Sequence, residues 1–272
     1  MNRHLSRLSL LLIAPLLLMH PALSLAGSPM VVTLPPLGGM VQLLLPDDHP
    51  LCLLSSSGDP HHLTISPRQV EQMRAAPVLV RSSGDDGGWS GLNTRHGVVV
   101  DLWSSTHHPW LVPSDVVAQL PRLAAGLQRL RLLSMEGAQR RLSLLARQMR
   151  RLDGEWRRVL QPLMRRGVIM QHPAWQRLFA HYGVPVRAVL ERSHHGDGAA
   201  PHQLEEALQL LRSADPPLLI MERSHSNKMI EWLLQRVDGA EAVTLDALGV
   251  CGQPLDELMA DNMAELQQIG TP

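Results

Sequence analysis

Short apolar runs separated by polar loops follow one another in the chain beyond residue 30. Four of these runs have the length of buried strands: residues 31–34, 51–54, 78–80 and 97–102. Between the second and third runs, Ser66 can cap a helix whose first position is taken by Pro67. The cluster at residues 35–39, with two prolines and two glycines, is interpreted as a breaker that ends the first strand. Alternating strands and helices predict an α/β lobe with a largely parallel sheet.

Between residues 114 and 166 the pattern becomes wholly helical. Apolar residues recur at steps of three and four between Leu120 and Leu163, which is typical of one stripe on a long amphipathic helix. Ser134 is a candidate N-cap for the second part, and the roughly 28 residues after it would span about 42 Å. We interpret this helix as a strut between two lobes. A coiled-coil dimerisation helix is the alternative, but Ala138 and Trp156 in the stripe do not suit a leucine zipper.

A second α/β pattern begins at residue 167. Strands are predicted at residues 167–170, 186–190, 218–221 and 242–245. Helices are predicted at residues 174–181, 202–212, 226–237 and 255–269. The predicted organisation is therefore an N-terminal α/β lobe at 27–113, a helical connector at 114–166 and a C-terminal α/β lobe at 167–272. In such sheets ligands bind at the carboxyl ends of the strands.

Residues 1–26 have the pattern of an export signal. Arg3 and Arg7 form a basic start, an apolar stretch follows at residues 8–19, and a small-residue cleavage site ends at Ala26. The apolar stretch is shorter than the roughly 20 residues that a membrane-spanning helix needs. We therefore expect a periplasmic protein that begins near Gly27 and has no stable membrane insertion.

Charge and cysteine content exclude some classes of protein. The 25 basic and 25 acidic side chains cancel, and loss of Arg3 and Arg7 with the signal leaves a charge of −2. No basic patch suggests nucleic-acid binding. Cys52 and Cys251 are the only cysteines, and they could pair in an oxidising compartment. Cys52 lies in an apolar run, so we favour its interpretation as a simple small core residue, and whether the two cysteines pair stays open.

Four candidate metal ligands stand in separate short contexts along the chain: His61, His108, His172 and Asp246. Imidazole and carboxylate groups are donors that zinc accepts, and zinc favours four of them in a tetrahedron. Their wide spacing means that each would come from a different loop of a folded scaffold. The sequence therefore predicts a preformed pocket that captures a metal, rather than a zinc finger.

The segments around these residues carry a family resemblance. They read PHHLTISP at residues 60–67, HPWLVP at 108–113, HPAWQRLFAHYGV at 172–184 and TLDALG at 244–249. Together, and in this order, they resemble the ligand motifs of the periplasmic metal-binding components of ABC importers for zinc and manganese, the TroA/ZnuA-like solute-binding proteins. The register of that resemblance selects His61 over His62 and His108 over His107 as ligands.

The resemblance implies both a fold and a function. The implied fold has two α/β lobes joined by a single long helix, with the metal in the interlobe cleft. The implied function is capture of Zn²⁺ by a monomeric, non-enzymatic binding protein that delivers it to an inner-membrane ABC permease. A histidine at the third ligand position, His172, favours zinc over manganese, because manganese suits harder oxygen donors.

Several alternatives stay open from the sequence. A water molecule could replace Asp246 at the metal, with the aspartate capping Leu248 instead. A zinc hydrolase would need a general base, and neither a His-Glu-x-x-His helix nor an acid/base residue beside a ligand is evident. A diverged metal chaperone or sensor of the same fold is a third interpretation.

Three other features bear on the site. Glu222, at the end of a predicted strand, could hydrogen-bond a ligand histidine. Trp110 is expected to pack beneath the site and to hold the loop of His108. The segment from His194 to His202 is interpreted as a solvated glycine-rich loop, with weak auxiliary metal collection as the alternative.

Overall fold

Two parallel four-stranded sheets organise the chain in a computed structural model that describes residues 30–54, 65–83, 91–104, 108–191 and 201–269. The predicted export signal, the candidate ligand His61 and residues 192–200 lie outside the described residues. The predicted fold class, two α/β lobes with parallel sheets joined by a long helix, is confirmed.

The N-terminal sheet has the strand order β2-β1-β3-β4, with every pair parallel. Its strands are β1 (Val31–Val32), β2 (Leu51–Cys52), β3 (Val78–Arg81) and β4 (Val98–Asp101). Helix α2 (Pro67–Ala75) begins as predicted, because the Ser66 hydroxyl accepts from the backbone N–H of Gln69 while the Gln69 side chain accepts from the backbone N–H of Ser66.

The interpretation of residues 35–39 as a breaker was wrong. They begin helix α1 (Pro35–Leu44), all of whose residues are buried. Proline fits the first helical positions because the N–H groups there have no partner within the helix. A side chain at Gly39 would come within 2.7 Å of the backbone nitrogen of Leu255, so this glycine allows α1 to pack directly on the C-terminal lobe.

The helical connector consists of α3 (Pro113–Arg129), α4 (Met135–Leu160) and the short α5 (Leu163–Arg166). A turn with Arg131 at φ 58° separates α3 from α4. Ser134 caps α4 as predicted, because its hydroxyl accepts from the N–H of Gly137 at 3.0 Å. The 26 residues of α4 span about 39 Å and link the lobes.

The C-terminal sheet repeats the parallel arrangement with the order β6-β5-β7-β8. Its strands are β5 (Val168–Met170), β6 (Val186–Val189), β7 (Leu218–Glu222) and β8 (Ala242–Leu245). Its helices are α6 (Gln176–Tyr182), α7 (Pro201–Leu211), α8 (Lys228–Leu234) and α9 (Leu255–Gln267). Gly183 ends α6 in the left-handed conformation that glycine readily adopts.

A disulfide between Cys52 and Cys251 joins the two lobes, with the Cα atoms 5.9 Å apart. The interpretation of Cys52 as an unpaired core residue was therefore wrong. Cys52 ends β2 and Cys251 lies in the turn before α9, so the packing of α1 on α9 brings together residues that are 199 positions apart. None of the helices in the described ranges has the length and apolar character that a bilayer crossing requires.

Candidate metal centre

His108 lies on the N-terminal side of the cleft between the two lobes. It follows β4 and adopts a left-handed backbone conformation, with φ 48° and ψ 49°, immediately before a short 3₁₀ turn at Pro109–Leu111. This conformation is uncommon outside glycine and persists only when neighbouring contacts hold it. The His108 side chain is buried, with 3% of its surface exposed.

Trp110 supplies one of these contacts, as the sequence suggested. Its ring lies edge-on to the His108 ring, with centroids 5.1 Å apart. Its Nε1–H donates a buried hydrogen bond of 2.7 Å to the carbonyl oxygen of Ala247 in the C-terminal lobe. The loop that presents His108 is thus fixed against the opposite lobe.

His172 faces His108 from the C-terminal lobe. It follows β5, and its ring is buried and nearly perpendicular to that of His108, with centroids 5.9 Å apart. Two imidazoles that share a tetrahedral zinc at bonds of about 2.0 Å have ring centres roughly 5 Å apart. The structure therefore brings these two predicted ligands together across the cleft at nearly the separation that a shared metal needs.

Glu191 and His225 lie beside His172 and were missed in the sequence. The Oε2 atom of Glu191 is 2.9 Å from Nε2 of His225 and 3.6 Å from Nδ1 of His172. The other carboxylate oxygen, Oε1, accepts a hydrogen bond of 2.7 Å from the Gln171 side chain. The signal that could have revealed both residues is position, since each follows shortly after a strand, β6 for Glu191 and β7 for His225.

The charge state of Glu191 follows from these contacts. Burial alone would raise the pKa of its carboxyl, but the adjacent His172 imidazole and the hydrogen bonds with His225 and Gln171 outweigh burial and hold that pKa well below its usual range. The group is therefore an anion beside two imidazoles. This is the pairing that orients a metal-binding histidine or that binds a cation directly.

Glu222 ends β7 close to the same imidazoles. Burial raises the pKa of its carboxyl, the charges of His172 and His225 oppose the shift, and the charge of Asp246 adds to it. Among the described residues its Oε2 atom has no hydrogen-bond partner, whereas Oε1 accepts from Ser224 at 3.2 Å. Within the described residues the Glu222 carboxylate thus hydrogen-bonds Ser224, and the hydrogen bond to a ligand histidine that the sequence suggested is not formed.

Asp246 directly follows β8 and engages its own loop. Its Oδ1 atom accepts hydrogen bonds from the backbone N–H groups of Leu248, at 3.0 Å, and Gly249, at 2.8 Å. Its Oδ2 atom lies 3.5 Å from Nε of Arg223. The capping role considered in the sequence is therefore present, and it occupies one of the two carboxylate oxygens.

The C-terminal-lobe residues share one physical origin. All follow or end parallel strands, and the carboxyl ends of parallel strands meet at one edge of a sheet, where α/β proteins bind their ligands. The result is a buried set of imidazoles and carboxylates at the cleft. This set can chelate a divalent cation. The remaining candidate ligand, His61, lies outside the described residues.

Comparisons with known proteins identify the family and the fold. The model of the family described as ZnuA, "Zinc-uptake complex component A periplasmic", matches residues 30–269. A crystal structure of ZnuA is similar at TM-score 0.75 and 22% identity, over 88% of this chain and 98% of that chain. No curated protein sequence matches the chain.

Two further solved structures share the fold. FpvC from Pseudomonas aeruginosa, in complex with Ni²⁺, is similar at TM-score 0.70 and 19% identity, over 90% of this chain and 98% of that one. A Zn(II)-bound variant of AdcAII from Streptococcus pneumoniae is similar at TM-score 0.71 and 19% identity, over 88% and 99%. At these identities the likeness establishes the fold alone.

Proposed function

The chain belongs to the family of periplasmic zinc-uptake complex component A, and on this premise we propose that it captures Zn²⁺ in the periplasm and delivers it to an inner-membrane ABC permease. It would act as a monomer, exported by a cleaved signal at residues 1–26. The single observation that carries the proposal is the pair His108 and His172, two buried imidazoles that face each other from opposite lobes.

We propose His61, His108, His172 and Asp246 as the ligands of the cleft metal. Asp246 would bind through Oδ2, because Oδ1 is held by two loop amides. This assignment requires Arg223 to move away from Oδ2 when the metal arrives. A metal bound by a single carboxylate oxygen and three imidazoles would have the four ligands that zinc prefers.

The donor set also supports a preference among metals. Three nitrogen donors favour zinc over manganese, which prefers oxygen ligands. Similar folds have been solved with Ni²⁺, Mn²⁺ or Zn²⁺, so the fold by itself does not set the choice. Since imidazoles must be deprotonated to bind, zinc affinity is expected to fall as pH drops through the histidine range.

Competition dialysis with zinc and manganese tests this proposal. We expect the wild-type protein to retain one equivalent of zinc and markedly less manganese. His108→Asn should weaken zinc retention, whereas the exposed His96→Gln is the matched control and should not. Equal zinc affinity of wild type and the His108 variant would contradict the cleft assignment, and equal retention of both metals would contradict the preference for zinc.

A further inference from the structure

A cluster within the C-terminal lobe has the composition of a metal site in its own right. It consists of His172, Glu191 and His225, and one donor atom from each lies within 4.8 Å of the other two. We call this set the inner cluster. All three side chains are shielded, with relative exposures of 3%, 6% and 18%.

We propose that the inner cluster is a metal position of its own, which holds a divalent cation of the zinc type with donors from the C-terminal lobe alone. It shares His172 with the cleft position. Because it needs neither His61 nor His108, it stands apart from the proposed transport role and can be tested without it.

The distances support direct coordination. Two donors on one tetrahedral zinc, each at about 2.0–2.1 Å, lie roughly 3.3 Å from each other. Oε2 of Glu191 is 2.9 Å from Nε2 of His225 and 3.6 Å from Nδ1 of His172, values that bracket this separation. The donor atoms of the two imidazoles lie within 4.8 Å of each other, so an ion would draw the rings together by at most about 1.5 Å.

The arrangement of the rings also differs from the one expected when a carboxylate only orients a single metal-binding histidine. A carboxylate that only orients a metal-binding histidine hydrogen-bonds that single ring. Here two imidazoles, with ring centroids 4.5 Å apart and planes inclined by 31°, converge on the same oxygen of Glu191. Gln171 takes the other carboxylate oxygen, which directs Oε2 towards both rings.

Sharing His172 has a consequence for occupancy. Its Nδ1 atom faces Glu191, so the other ring nitrogen serves the cleft position. Occupation of both positions at once would require loss of the last imidazole proton and would place two dications side by side. One ion at a time is therefore expected, either between the lobes or within the C-terminal lobe.

The test removes the three cleft donors that the inner cluster does not share and leaves the inner cluster intact. The background variant carries His61→Ala, His108→Asn and Asp246→Asn. Asparagine tolerates the left-handed backbone at residue 108, and at residue 246 it keeps the oxygen that accepts from Leu248 and Gly249. Zinc retention is measured by equilibrium dialysis at micromolar zinc, after circular dichroism has confirmed folding.

We expect the background variant to retain one equivalent of zinc. Adding Glu191→Gln or His225→Phe should weaken that retention at least about 100-fold, because each removes one of three donors. Adding His96→Gln, at an exposed histidine, should change nothing. Should the triple variant misfold, the double variant His61→Ala, Asp246→Asn keeps buried His108, and a loss of its zinc on adding Glu191→Gln or His225→Phe still reports on the inner position.

Two results would overturn the inference. Either the background variant retains no zinc, or it retains zinc that Glu191→Gln and His225→Phe leave unaffected. Wild-type retention of one equivalent that is lost in the background variant would leave the proposed function standing while refuting the inner position. Retention by the background variant with the same affinity as wild type, and its loss on Glu191→Gln, would do the opposite: it would support the inner position and contradict the cleft position.

Discussion

The two lobes share a parallel four-stranded sheet but contribute unequally to the site. The C-terminal lobe presents five candidate residues at its strand ends: His172, Glu191, Glu222, His225 and Asp246. Within the described ranges the N-terminal lobe presents His108. Among the described residues the chelating groups are therefore concentrated in the C-terminal lobe, and His108 faces them from across the cleft.

Contacts with the C-terminal lobe also hold His108, the candidate ligand of the N-terminal lobe, in position. His108 is held in a left-handed conformation beside Trp110, and Trp110 is bonded to Ala247 in the opposite lobe. The disulfide and the contact of Gly39 with Leu255 join the lobes at a second place. The N-terminal contribution is thus a consequence of interlobe packing.

Breaking the covalent link between the lobes should have the largest effect. The double variant Cys52→Ser, Cys251→Ser frees two residues that are 199 positions apart in the sequence. A crosslink over so long a loop removes about 5 kcal/mol of unfolded-state entropy, so a loss of about 3–5 kcal/mol of stability is expected. Chemical denaturation measures it, with reduced wild type as the control. Unchanged stability would mean that packing of α1 on α9 alone holds the lobes.

Removing one imidazole from each lobe compares the two halves of the site directly. A bound zinc is worth about 10–16 kcal/mol, so each of four ligands contributes roughly 3 kcal/mol, or about 100-fold in affinity. His108→Asn should cost about that much. His172→Ala should cost about tenfold more, because both proposed metal positions use it. Competitive chelator titration measures both, and equal losses would contradict the view that the C-terminal lobe dominates.

The bond from Trp110 to Ala247 can be removed without removing the aromatic ring. Trp110→Phe leaves a buried carbonyl without its donor, at an expected cost of about 1 kcal/mol of stability. The loop that carries His108 would also be less restrained, so zinc affinity should fall. Trp103→Phe is the matched control, because Trp103 is also buried and its Nε1 has no hydrogen-bond partner in the described part of the chain. Thermal denaturation and zinc titration of both variants check this. Equal effects would show that only ring packing matters.

Zinc removal should change the overall shape least. Large hinge motions need a few residues that absorb the backbone change, and α4 runs unbroken through Gly154 from Met135 to Leu160. The disulfide restrains the lobes further. We expect small-angle scattering of zinc-loaded and chelated protein to give the same radius of gyration within error. A change as large as that of clamshell closure would refute the rigid link between the lobes.

The fold was largely predictable because it rests on local patterns. Apolar runs of strand length, the stripe on α4 and the caps at Ser66 and Ser134 each depend on a few neighbouring residues. The error at residues 35–39 has the same local origin. Prolines that follow a strand can end one element or begin the next, and the choice depended on a buried place for α1 against α9.

For the site, less could be predicted from the sequence than for the fold, and more depended on the tertiary structure. The sequence by itself predicted the candidate donors that stand in recognisable segments, and His108, His172 and Asp246 do lie on loops after strands. Only the tertiary structure decided that Glu191 and His225 lie beside His172 and that Cys52 forms a disulfide with Cys251. It also decided that one carboxylate oxygen of Asp246 hydrogen-bonds its own loop. The physical reason is that these contacts arise between strand ends and lobes that are distant in sequence. Their partners are chosen by the order of the strands in each sheet and by the packing of one lobe on the other.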